Sequence, residues 1–250
     1  MKRIFFALFG LIFSILSVLP LYAQEQDNTA LIDAIKAQTD PISLMDTLTP
    51  DGRWHIEITR YDCTRVDVPD ADEPQPMAYE VMTLLDMTAA DIEGEIIAEQ
   101  LLNCGGLGAY GLGLLNFSQD GRYLYYTDAR EGQPDGGGFW LRPVIRLDTE
   151  DQTSENLGGG VFSRDGSMLA TWQSQQPVVN IYNTAEAEPL GTFEVSDDHI
   201  IMSQLFWLPD STGVMVVEAN DFMATGSVVS VIDIETMEKT VILETGDAAD

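Results

Sequence analysis

In the C-terminal half of the chain, apolar residues come in short runs separated by turns. Gly160-Val-Phe-Ser163 reads as a first strand, Met168 to Gln173 as a second, Val178 to Tyr182 as a third and Leu190 to Val195 as a fourth. The pattern then repeats with Met202 to Trp207, Val214 to Glu218, Ser227 to Ile234 and Thr240 to Leu243. Upstream, Leu114 to Ser118, Tyr123 to Asp128 and Phe139 to Leu147 form a similar set, and Trp54 to Asp62, Tyr79 to Asp86 and Ile96 to Gln100 an earlier one whose first strand is not evident. The runs are short and rich in Val, Ile, Tyr and Phe, which favours strands over helices. Only Thr29 to Ala37 has helical spacing: Leu31, Ala34 and Ile35 line one face, with Asn28 or Thr29 as cap.

The turns are also periodic. TPDGRW, FSQDGRY, FSRDGSM and the degenerate FWLPDSTG place Asp51-Gly52, Asp120-Gly121, Asp165-Gly166 and Asp210 at equivalent points. The last three Asp residues are 45 apart, and the first gap, 69, must hold inserted loops. Asp-Gly supplies the positive backbone angles of tight hairpins, and a repeat of about 40 to 50 residues with four strands is the period of a β-propeller blade. The expected fold is all-β: about four four-stranded blades in a small ring or an open, incomplete one, after a short N-terminal helix. The units divide as 49–103, 104–158, 159–200 and 201–246, with 24–48 as a lead-in.

The repeated Phe-Ser-x-Asp-Gly, a strand, a loop and a strand ending in an acidic turn (Asp148-Thr-Glu150, Asn183-Thr-Ala-Glu186, Asp233-Ile-Glu-Thr236) resembles the WD-repeat-like blade of TolB-type propellers. Propeller domains of prolyl-oligopeptidase-like proteins carry a similar blade. The resemblance runs from Thr49 to Gly246 and implies a propeller; that family usually closes six or more blades, against four here. A homodimer of two arcs closing one propeller is therefore an alternative to a four-bladed ring.

The N-terminus sets the compartment. Lys2 and Arg3, the apolar run Ile4 to Leu19 and the Pro20-Leu-Tyr-Ala23 boundary form a secretory signal peptide, residues 1–23, with an uncleaved membrane anchor as the alternative. The protein is expected to be exported, periplasmic or extracellular, with no membrane span after cleavage. The formal charge of -29 becomes -31 once Lys2 and Arg3 leave. Such a surface repels a phosphate backbone and excludes nucleic acid as a partner. The two cysteines, Cys63 and Cys104, are expected to form a disulfide joining loops at one end of the sheet stack.

Candidate chemistry is sparse. Gly106, Gly108 and Gly111 match the G-x-G-x-x-G dinucleotide fingerprint, with Asp128 downstream, but a strand pair comes next where that motif needs a helix. No G-x-S-x-G elbow, H-E-x-x-H or calcium-loop motif occurs, and the Asp-Gly turns are one residue short of an Asp box. His55 alternates with Ile56 and Ile58 as a sheet-face histidine, and His199 is the other candidate base. No cofactor or metal is expected. The long insertions Cys63 to Pro76 and Ala129 to Gly138 share one end with the links between units, which makes Tyr61, Arg65, Tyr110, Arg130 and Asp135 the binding candidates. The function read from these features is a non-catalytic exported binding module for a protein, peptide or glycan. The alternative is the propeller domain of a secreted hydrolase whose catalytic part is absent from this chain.

Overall fold

A computed structural model describes residues 28–69, 71–90, 94–104, 111–128, 143–173, 178–195, 202–219 and 226–245. One helix, α1 (Thr29–Lys36), precedes fifteen described strands in antiparallel order. The first sheet holds β1 (Pro41–Leu48), β2 (Trp54–Val66), β3 (Gln75–Asp86) and β4 (Gly94–Asn103). The second and third units are β5 (Leu112–Phe117), β6 (Tyr123–Asp128), β7 (Pro143–Asp148), β8 (Thr153–Phe162), β9 (Met168–Gln173), β10 (Val178–Asn183) and β11 (Gly191–Glu194). The last sheet is β12 (Met202–Trp207), β13 (Gly213–Ala219), β14 (Ser227–Asp233) and β15 (Lys239–Thr245).

Three details differ from the expected layout. The stretch 24–48, taken as a lead-in, contains β1, which pairs with β2 and supplies the first sheet's missing strand. Strand β2 runs on to Val66 across a bulge between Tyr61 and Thr64, so much of the expected Cys63–Pro76 loop is strand. Strand β8 crosses the boundary drawn at 158: residues 153–156 pair with β7 and residues 159–162 with β9, with Gly158 at φ 87° between them. The second and third units thus form one seven-stranded sheet.

Strand alternation builds the core between successive units. Ile56, Ile58, Met82 and Leu84 of the first sheet meet Leu112, Leu124, Tyr126 and Leu147 of the second unit. Tyr123, Tyr125 and Val144 meet Leu169 and Tyr182 of the third. Ala170, Val179 and Ile181 meet Leu205, Val214, Val216 and Ile232 of the fourth. Hydrogen bonds cross these seams too: the Tyr125 hydroxyl donates to the Thr184 carbonyl (2.9 Å) and the Trp207 indole to the Val161 carbonyl (2.9 Å).

The recurring turn is a small hydrogen-bonded knot. Ser118 Oγ donates to Asp120 Oδ1 (2.6 Å), accepts from the Tyr123 amide (2.8 Å), and the Gly121 amide closes on the Ser118 carbonyl (3.0 Å). Ser163, Asp165, Gly166 and Met168 repeat it, as do Thr49, Asp51, Gly52 and Trp54. These bonds, led by the Thr49 and Ser163 hydroxyls, hold the Asp51 and Asp165 carboxyls below their ordinary range. In the fourth unit Leu208 replaces the hydroxyl, and Ser211 takes the left-handed angle (φ 60°) that Gly holds elsewhere.

Neighbouring knots touch. A Cβ on Gly121 would lie 2.6 Å from Asp51 Oδ1 of the preceding unit, whereas one on Gly52 would meet open space. Both glycines have φ above 70°, so Gly52→Ala is expected to cost about 1–2 kcal/mol from backbone strain alone. Gly121→Ala adds a clash that displaces the hydrogen-bonded Asp51, raising the loss to about 2–3 kcal/mol. Urea denaturation of the two variants checks that order.

Candidate functional site

The end of the first sheet under α1 gathers most of the describable candidates. The helix buries Ile35 and packs Leu31, Ile32 and Ala34 against Val66, Tyr79, Met77, Val81 and Leu101. It thereby covers part of the sheet face turned away from the second unit. Lys36, in the last helical turn, lies over the Tyr61 and Tyr79 rings at 5.6 and 4.9 Å, and the two rings are 5.9 Å apart. The Tyr79 hydroxyl donates to Glu99 Oε2 (2.6 Å), and burial followed by that bond pushes its ionisation well above the ordinary tyrosine range. It is a fixed donor at neutral pH.

Tyr61, near the end of the expected strand Trp54 to Asp62, lies on β2 at its bulge, packed under Lys36 and against Tyr79. Its apolar surface serves the helix contact. Arg65 is also on β2, and its Nη1 donates to the Pro74 carbonyl (3.2 Å), pinning the β2–β3 connection. Beside it opens a cleft of about 570 Å³ between α1 and that connection, with Leu31, Ala34 and Val66 on its apolar side and Arg65, Gln38 and Asp67 as polar lining. Gln38 is fixed by a bond from Thr64 Oγ1 (3.2 Å) and one to the Ala34 carbonyl (3.0 Å). Tyr110, Arg130, Asp135 and His199 lie outside the described residues, as does the segment 1–23.

The expected disulfide is present. Cys63, in the β2 bulge, bonds Cys104, which follows β4 and donates its amide to the Pro76 carbonyl (2.8 Å). The bond ties together the two strands that flank β3. A disulfide fits an oxidising compartment, and no helix among the described residues is long and apolar enough to cross a membrane.

The end of the glycine-rich stretch meets a buried charge that the sequence does not announce. Glu80, 1 % exposed, pairs with Arg60 Nε (2.7 Å) and accepts from the Leu112 amide (2.7 Å) and Gln100 Nε2 (3.2 Å). A Cβ at Gly111 would overlap the Glu80 carboxylate. The glycine there admits a carboxylate from the neighbouring sheet, and the element that begins at Leu112 is β5, a strand rather than a helix, as expected. The only sequence signal was a charged residue, Glu80, at a core position of a strand. On the same sheet's outer face, Asp46, His55 and Glu57 lie together, with one potential ligand atom from each within 4.8 Å of the others.

No protein-family model matches the chain, and no curated protein matches it. Solved structures are similar only distantly. TolB from Agrobacterium tumefaciens is 12% identical with a TM-score of 0.29, over 81% of this chain and 81% of that one. Pyrococcus horikoshii acylaminoacyl peptidase is 7% identical with a TM-score of 0.35, over 82% of this chain and 33% of the peptidase. Kuenenia stuttgartiensis hydrazine synthase is 11% identical with a TM-score of 0.31, over 78% of this chain and 64% of that one. This chain therefore spans under two thirds of the hydrazine synthase chain. At these TM-scores the likenesses carry no argument about function.

The 41-residue separation between the two cysteines gives the disulfide a stabilising effect of about 4 kcal/mol in the chain-entropy model. Cys63→Ser is expected to lower unfolding free energy by about 2–4 kcal/mol. The same loss should appear when the wild-type protein is unfolded in reductant, which urea melts with and without dithiothreitol will compare.

Proposed function

We propose that this protein is an exported, non-catalytic module of propeller type, its four units standing as consecutive blades in an open arc. It binds an extended polypeptide segment at the disulfide-bonded end. The observation that carries the reading is the cleft between α1 and the β2–β3 connection. Its apolar side chains would take a ligand's apolar groups, while Arg65 and Gln38 offer donors to a peptide carbonyl or carboxylate. Those two donors are held by local bonds, which lowers the ordering cost of binding.

The two ends of the arc differ. The outer face of the first sheet is partly occupied by α1, so a further sheet cannot stack there as the units stack on one another. The outer face of the fourth sheet is largely apolar: the register aligns Phe206, Met215 and Val231 in one row, ended by Thr240, and Val217, Val229 and Leu243 in the next, begun by Gln204. Phe206 and Leu243 are 45 % and 54 % exposed. We take this face as the surface on which a second copy packs, fourth sheet against fourth sheet.

Peptides selected against the mature protein from a displayed random library test the binding role. Selected sequences are expected to lose at least about tenfold in affinity with Leu31→Glu, which places a charge in the cleft. They should bind unchanged to Arg164→Ala, in a turn of the third unit. Affinities insensitive to Leu31→Glu would overturn the assignment, and turnover of peptides or polysaccharides by the pure chain would overturn the non-catalytic reading.

A further inference from the structure

We propose that Asp46, His55 and Glu57 form a binding site for one divalent transition-metal ion of the kind that accepts imidazole nitrogen, such as Zn²⁺ or Cu²⁺. Strand geometry brings them together. His55 and Glu57 are two apart on β2 and therefore share a face, and Asp46 on β1 stands directly opposite Glu57. That face is the outer one, turned away from the core formed by Ile56 and Ile58.

The geometry is a carboxylate on each side of one ring. His55 Nε2 is 2.6 Å from Asp46 Oδ1, and His55 Nδ1 is 3.6 Å from Glu57 Oε1. A neutral imidazole has a single N–H and can donate to only one of these carboxylates. At 2.6 Å the Nε2–Asp46 contact is a hydrogen bond, so a neutral ring donates there and turns its Nδ1 lone pair toward Glu57; a cation on the ring, a proton or a metal ion, suits both carboxylates at once. A metal ion at Nε2 would take the place of that hydrogen bond. Asp46 and His55 become its ligands once the exposed Asp46 side chain backs away to the roughly 3 Å that two ligand atoms of one ion require; the ring N–H then sits on Nδ1, from which Glu57 at 3.6 Å can close to hydrogen-bond distance, and water fills the remaining positions. Glu57 is then a positioning residue in the carboxylate–imidazole–metal relation seen when a second carboxylate orients a histidine ligand.

The ion class is set by the donors. Ca²⁺ and Mg²⁺ prefer all-oxygen shells, whereas Zn²⁺ and Cu²⁺ take imidazole with carboxylate. The His55 side chain is 18 % exposed and Asp46 67 %, so the ring is held by its surroundings while the ion's entry side stays open. The strongly negative chain draws cations toward its surface without selecting among them. Because Asp46 comes from β1 and His55 from β2, a bound ion would also clip these strands together.

Titration calorimetry of the chelator-stripped mature protein with Zn²⁺ is expected to show one equivalent bound. His55→Gln should abolish this, Glu57→Gln should weaken it about tenfold, and His199→Gln should leave it intact. Cu²⁺ at one equivalent should give an electron paramagnetic resonance spectrum with coupling to one imidazole nitrogen, which disappears in His55→Gln. Saturating Zn²⁺ should raise the melting temperature of the wild type by about 5 °C and that of His55→Gln not at all. Zn²⁺ binding unchanged by His55→Gln, no binding at millimolar Zn²⁺, or a Cu²⁺ spectrum without nitrogen coupling would each overturn the proposal. Should His55→Gln fail to fold, Asp46→Asn and the wild-type spectrum decide it on the same terms.

Discussion

Each β-sheet in this protein has two faces, and an apolar face has to be covered. That constraint organises the molecule. Ile56, Ile58, Met82 and Leu84 are covered by the second unit, Tyr123 and Tyr125 of β6 by the third, and Ala170, Val179 and Ile181 by the fourth. Every seam among the described residues joins units adjacent in sequence, so the contacts are built locally along the chain, and the hydroxyl–Asp–Gly knots keep the first hairpin of the first three units tight. The knots meet their neighbours as well, Asp51 against Gly121 and Asn116 against Gly166, with Asn116 donating to the Gly166 carbonyl (2.7 Å).

Charges buried at the seams add direction to a packing that apolar contact alone would leave loose. Glu80 binds the entering backbone at Leu112 while paired with Arg60. Arg146 reaches from β7 to the Glu186 and Ala187 carbonyls of the third unit and pairs with Glu155 (2.6 Å). Lys239 bridges Glu218 (2.7 Å) and the Glu194 carbonyl (2.8 Å), linking the fourth unit to the third. Removing Arg60, for example, leaves the buried Glu80 without its countercharge, so a seam set this way tolerates little slippage.

Turn chemistry was the most legible part of the sequence, because a hydroxyl, an Asp and a Gly at fixed spacing each do a separate job in one hairpin. The helix and the disulfide were legible for similarly local reasons. Strand β1 was not: its bulge between Ser43 and Met45 breaks the alternation, and nearly all of its residues are at least half exposed or only partly covered. That omission hid the site at His55, whose place on a sheet face was readable, since the carboxylate opposite belongs to the unrecognised strand. Strand β2 was cut short because a bulge at Asp62 and Cys63 looks like a loop. Arg65 was consequently placed on a loop, whereas it stands on β2 and pins the neighbouring connection, and Tyr61, at the end of the expected strand, supports the helix. Gly111 was visible as a glycine but not as the place where Glu80 enters, because that contact joins residues from different sheets.

The same constraint that builds the seams leaves one end unfinished. Helix α1 lies on the first sheet's outer face, while nothing among the described residues covers the row of Phe206, Met215 and Val231 or that of Val217, Val229 and Leu243. Sedimentation velocity of the mature protein across a hundredfold range of concentration tests the resulting asymmetry most directly. Reversible dimerisation is expected, which Val229→Glu abolishes without lowering the stability of the monomer. A wild-type protein that stays monomeric throughout, or a dimer indifferent to Val229→Glu, would contradict it.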